Sequence, residues 1–126
     1  MTEKKNEKKD NYMLDIGKKC LELLDEKKAE SPILMDLRQV NTYLDYFIIA
    51  TGNSKIHCRT LAKELERFAI TNGLKMYGNP DYNSEWIIID FGEIIAHIFT
   101  DDMRSYYQLE KLWADAKKYF LEEKGE

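Results

Sequence analysis

The stretch WIIIDFGEIIAHIF, residues Trp86 to Phe99, constrains this chain more than any other. Two apolar runs rich in isoleucine are joined by Asp-Phe-Gly-Glu, the pattern of two strands and a turn. Strand side chains alternate between faces. On the first run Trp86, Ile88 and Asp90 share one face, and Ile87 and Ile89 the other. On the second, Ile95, His97 and Phe99 oppose Ile94, Ala96 and Ile98. Two turns fit. A two-residue Phe91-Gly92 loop gathers the small aliphatics and lines the opposite face with Trp86, His97 and Phe99, but it asks Phe91 for a positive φ. A three-residue loop ending at Gly92 is sterically easier and shifts the register. In either register both faces stay largely apolar. Both must then be covered, by the chain's own helices or in part by something else.

The flanking sequence supplies those helices. Met13, Ile16, Cys20, Leu23 and Leu24 recur at three and four, an amphipathic stripe that starts from Asn11 and ends near Ala29, before the break at Ser31-Pro32. Residues 33–38 and 45–51 read as two strands. In the Thr-Gly-Asn-Ser turn that follows, Gly52 permits a positive φ, and Asn53 or Ser54 can cap the next helix. That helix buries Cys58, Leu61, Ala62, Leu65, Phe68 and Ala69 and stops by Gly73. Residues 75–85 mix a short possible strand with a Gly-Asn-Pro-Asp loop. Thr100 can cap a last helix with Asp101 and Asp102 in its first turn. The three-four spacing of Tyr106, Leu109, Trp113, Ala116 and Phe120 extends it as one long amphipathic helix or two segments. The order is α-β-β-α-(β)-β-β-α, an α/β (α+β) mixed sheet flanked by helices.

A chain of 126 residues suffices for one compact domain, placed at 11–121. Residues 1–10, nearly all charged or amidic, are expected as a disordered tail and residues 122–126 as a frayed end. The net charge of −4 argues against the chain as a whole gripping nucleic acid and suits a basic protein partner, although local patches can differ from the total. Cys20 and Cys58 read as buried free thiols, without the spacing of a zinc site. No secretory signal and no apolar run near the ~20 residues of a membrane helix is present, which gives a cytoplasmic reading and no membrane partner.

Catalytic readings are weak. Asp90 and Glu93 could pair as acid and base, but Asp-Phe-Gly-Glu is ordinary turn composition. His97 has no paired nucleophile. The Thr-Gly-Asn-Ser turn resembles a phosphate cradle and motivates a nucleotide-binding or nucleotidyltransferase-related alternative. The next strand, however, lacks the Asp-x-Asp pair that would hold a metal. What remains is an aromatic surplus in the C-terminal third, where Trp86, Phe99, Tyr106, Tyr107 and Trp113 are interleaved with Arg104 and Glu110. Trp, Tyr and Arg are enriched at protein interface hot spots, so an aromatic strand face beside an aromatic helix is a candidate docking site. Spare aromatic surface could also close a symmetric homodimer.

Three stretches, DYFIIATGNS, EWIIIDFGEIIAHIF and MRSYYQLEKLWADA, occur in an order and spacing that resembles the Iojap-like ribosomal silencing factor family over roughly Cys20 to Lys117. The resemblance implies a nucleotidyltransferase-like fold without catalysis, metal or cofactor. It implies binding to the large ribosomal subunit through that subunit's ribosomal protein fourteen, which blocks joining of the small subunit and lowers translation in starvation or stationary phase. The family's motif positions fall on Asp45, Tyr46, Gly52, Asn53, Ser54, Gly92, Trp113 and Asp115, and on the residues assigned to docking. Those are Trp86, His97, Phe99, Arg104, Tyr107 and Leu109, with Asp90 and Glu110 as rim charges. No sequence-specific contact to nucleic acid is implied. The chain departs from the family pattern at YGNPDYNSE, where a Glu-Gly loop is common, and at Thr100, where a histidine is common.

Overall fold

The computed structural model describes the backbone of residues 2–121 and the side chains of residues 12–121. Helix α1 (Thr2–Glu26) leads into strands β1 (Glu30–Asp36) and β2 (Tyr46–Gly52), helix α2 (Lys55–Thr71) and the hairpin β3 (Trp86–Asp90) and β4 (Ile94–Thr100). Short helices α3 (Asp101–Tyr107) and α4 (Leu109–Leu112) and strand β5 (Lys117–Phe120) follow. The five strands form one mixed sheet in the order β3-β4-β2-β1-β5. β2 and β4 run parallel at its centre, and the other neighbours are antiparallel. Every residue of β2 is buried, as its unbroken apolar sequence requires of a central strand covered on both sides.

Two cores sandwich the sheet. Ile48, Ile87, Ile89, Ala96 and Ile98 face α1 and α2, meeting Ile16, Cys20, Leu24, Leu61 and Leu65. Ile33, Met35, Phe47, Ile49 and Phe99 face the other way, under Trp86, Met103, Leu109 and Trp113. The first face is closed by two long helices. Among the described residues the second is closed by the short α3–α4 segment with Trp113, Ala116 and Leu44, and this asymmetry leaves aromatic surface open near β3.

The hairpin adopts neither expected loop. Trp86 pairs with Phe99 and Asp90 with Ile95, while the Phe91 N–H donates to the Ile94 carbonyl, so the turn is Gly92-Glu93. Gly92 takes φ +89° at the first turn position, which spares Phe91 the strain, and the Asp90 carboxylate accepts the Gly92 N–H at 2.7 Å. The face assignment of the Phe91-Gly92 loop survives, because the actual register differs from it by two residues. At Gly52 the expected positive φ is absent. The need there is space, since a Cβ would lie 2.6 Å from the Cys58 Sγ. Ser54 caps α2, accepting the His57 N–H. Thr100 occupies the cap position of α3 without a side-chain cap bond.

Of the two C-terminal forms the structure takes the two-segment one, but the helix ends at Leu112 and does not reach Phe120. Gln108, left-handed at φ 47°, ends α3, and the chain closes with β5 on the edge beside β1. The three-four spacing instead serves packing, as Leu109, Trp113 and Ala116 line the second core. The possible strand in residues 75–85 reduces to one bridge, Tyr77 to Asp90. The charged segment expected as a separate tail has helical backbone from Thr2 in α1, in keeping with the good helix propensity of Lys and Glu. The expected frayed end, residues 122–126, lies outside the described residues.

Candidate docking surface

The expected docking residues form a layered arrangement, not a flat patch. Trp86 lies over Phe99 across the β3–β4 ladder, with ring centroids 5.1 Å apart. Tyr107, at the end of α3, meets the Trp86 ring at 4.9 Å. Beneath them, His97 accepts the Trp86 indole N–H on Nδ1 at 3.1 Å. That bond assigns the imidazole proton to Nε2, which is buried with no hydrogen-bond partner among the described residues. The imidazole and Phe47 rings meet edge to face, with centroids 4.5 Å apart. Burial pushes the His97 pKa down to about 4, so the ring is neutral near pH 7. His97 is 6% exposed and Phe99 wholly buried, so both orient Trp86 from below and neither presents surface.

The surface is made by Trp86, Tyr107 and Leu109, joined by two residues that sequence reasoning did not select, Ile88 and Leu112. Ile88 was legible, since alternation puts it on the face of Trp86. Leu112 was hidden because it lies off the stripe of Tyr106, Leu109, Trp113, Ala116 and Phe120. Trp86, Tyr107, Leu109 and Leu112, with Gln108 and Lys111, line a shallow groove of about 490 Å³, and Ile88 lies exposed outside it. Asp90 lies at the far end of β3, about 13 Å along the strand from Trp86, and serves the turn.

Arg104 and Glu110 belong to the frame. The guanidinium binds the Glu110 carboxylate through Nε at 3.0 Å and Nη2 at 3.2 Å. Its Nη1 donates to the Ser31 carbonyl and the Thr51 hydroxyl, each at 2.9 Å. Arg104 thus fastens α3 and α4 to the ends of β1 and β2, and its donors are spent internally.

The Thr-Gly-Asn-Ser turn is similarly occupied. The Asn53 N–H donates to His57 Nδ1 at 2.9 Å, and His57 Nε2 donates to the Lys27 carbonyl at 2.9 Å. The Asn53 and His57 N–H groups that a phosphate would need are therefore engaged. Among the described residues, no three His, Cys, Asp or Glu side chains converge as a metal-ligand set.

A five-stranded mixed sheet, sealed on one side by long helices and open on the other at an aromatic groove, defines a small α+β protein with an exposed apolar groove. The same fold occurs in a crystal structure of a Chromobacterium violaceum protein, at a TM-score of 0.75 and 27% identity over 86% of this chain and 92% of that one. The profile of the family described as "Ribosomal silencing factor during starvation" matches residues 11–126. The ribosomal silencing factor RsfS of Halalkalibacterium halodurans is 36% identical over 79% of this chain and 86% of its own length. That of Bacillus subtilis is 37% identical over 73% and 79%. The chain belongs to the ribosomal silencing factor family, whose members are regulatory proteins.

Proposed function

We propose that this protein represses translation by binding the large ribosomal subunit through ribosomal protein fourteen of that subunit and sterically blocking the small subunit from joining under starvation or in stationary phase. The observation that carries the reading is the Trp86-Tyr107-Leu109 groove, the apolar surface left by the short α3–α4 cover in a chain of this family. The net charge of −4 complements a basic ribosomal protein. The action needs occupancy alone, with no catalytic step or cofactor, and takes place in the cytoplasm.

Sedimentation with separated subunits tests it. The protein is expected to pellet with large subunits and not with small ones, and to reduce the joined-ribosome peak when both are mixed. Absence from the large-subunit pellet would remove the reading.

A further inference from the structure

We propose that the outward face of α2 is a second contact surface, which holds the phosphate backbone of RNA by charge without reading its sequence. Lys55, Arg59, Lys63 and Arg67 recur every four residues along the exposed side of α2. A helix rises 1.5 Å per residue, so the cations are strung about 6 Å apart over about 18 Å. The helix also carries Glu64 and Glu66, and Glu64 offsets the C-terminal end of the stripe at Arg67, which leaves Lys55, Arg59 and Lys63 to carry it. The Glu64 carboxylate is shared between Lys27 and Arg67, at 3.4 and 2.6 Å. Glu66 accepts the Tyr82 hydroxyl, and Lys63 lies 4.3 Å from the centre of that Tyr82 ring. Lys55 and Arg59 make no ion pair among the described residues. A chain with an acidic total therefore presents one helix face whose fully exposed charges are all positive.

That face is well placed for a second contact. α2 packs through Cys58, Leu61 and Leu65 on one side of the sheet, while Trp86 packs on the other. Both surfaces can be occupied at once. The choice of RNA over other polyanions rests on the reading of the chain as a ribosome-binding protein. An anionic membrane fits less well, since the apolar residues beside the stripe are only Ile56 and Ile70, near its two ends, and a membrane-seated helix needs a continuous apolar face.

The test is fluorescence anisotropy of the full chain with an arbitrary 24-base-pair RNA duplex across a NaCl series. Affinity is expected to fall steeply with salt, and the log–log slope to become shallower by about 2 in the Lys55→Gln/Arg59→Gln double variant, roughly one per cation removed. Low-salt affinity should drop at least tenfold while the melting temperature holds, because both side chains are exposed. Trp86→Ala should leave duplex binding unchanged, so loss of ribosomal docking and loss of RNA contact are told apart. No duplex binding at low salt, or an unchanged slope in the double variant, would overturn the proposal. So would binding to phosphatidylserine vesicles without binding to the duplex, which would assign the stripe to membranes.

Discussion

His97 is a buried polar group held for its geometry. Its Nδ1 must stay unprotonated to accept the Trp86 indole N–H, and burial keeps it so down to about pH 4. The unfolded chain protonates this histidine near its ordinary value of 6.5. Between those values the unfolded state binds more protons than the folded state, so stability falls as pH drops from about 6.5 to 4, by up to about 3 kcal/mol. Below 4 both states are protonated and the dependence ends. The Asp36 carboxyl, held low by its bond to Arg38, adds its loss only further down, as pH falls below its ordinary 3.8. Urea unfolding at pH 7 and pH 4.5 separates the two. The native chain should lose most of the His97 contribution across that interval, and His97→Gln should flatten the difference. Equal slopes in both proteins would discard this account.

At the scale of elements, the sequence made some parts plain and concealed others. Helices α1 and α2 and the β3–β4 hairpin were legible because each rests on a local periodicity. The hairpin register was not, since it turned on which residue would take positive φ, and only the loop geometry places that demand on Gly92. The C-terminal segment was misread for a different reason. A three-four repeat reports contact with a core, and α3, α4 and the turn before β5 satisfy it without continuing as helix. Arg104 holds that segment in place, and nothing local in the sequence marks its partners Ser31 and Thr51, more than fifty positions earlier. Arg104→Ala strands the Glu110 carboxylate, the Ser31 carbonyl and the Thr51 hydroxyl. It should cost about 3 kcal/mol in chemical unfolding. Arg104→Lys should recover little, because a single ammonium cannot replace the fork. A loss below about 1 kcal/mol would show that packing alone positions α3 and α4.

For the whole molecule, the division into a sealed face and an open face explains why the candidate site was partly visible from sequence. The residue types at hot spots were readable. Their layering was not, because burial of Phe99 and His97 and internal use of Arg104 and Glu110 depend on contacts between distant segments. The docking energy should therefore concentrate in the outer layer. Trp86→Ala and Tyr107→Ala are each expected to weaken binding to large subunits by ~2 kcal/mol or more, about thirtyfold. Glu110→Gln should act mainly on stability. Titration of labelled protein against large subunits measures the two classes, and unchanged affinity in both aromatic variants would move the docking site elsewhere.

The parallel pair at the centre of the sheet sets one further condition. Tyr46 lies in register with Ile94, and Gly52 with Thr100, so the middle of the fold cannot close until β4 has been made. Pairings so distant in sequence are slow to form and cannot begin before their second strand exists. Phe99 and Tyr107, which build the aromatic groove around Trp86, lie later still than the start of β4. A nascent copy thus has no finished groove until Leu112 has been made. Groove formation is therefore a late event in the folding of this chain, gated by the emergence of α3 and α4.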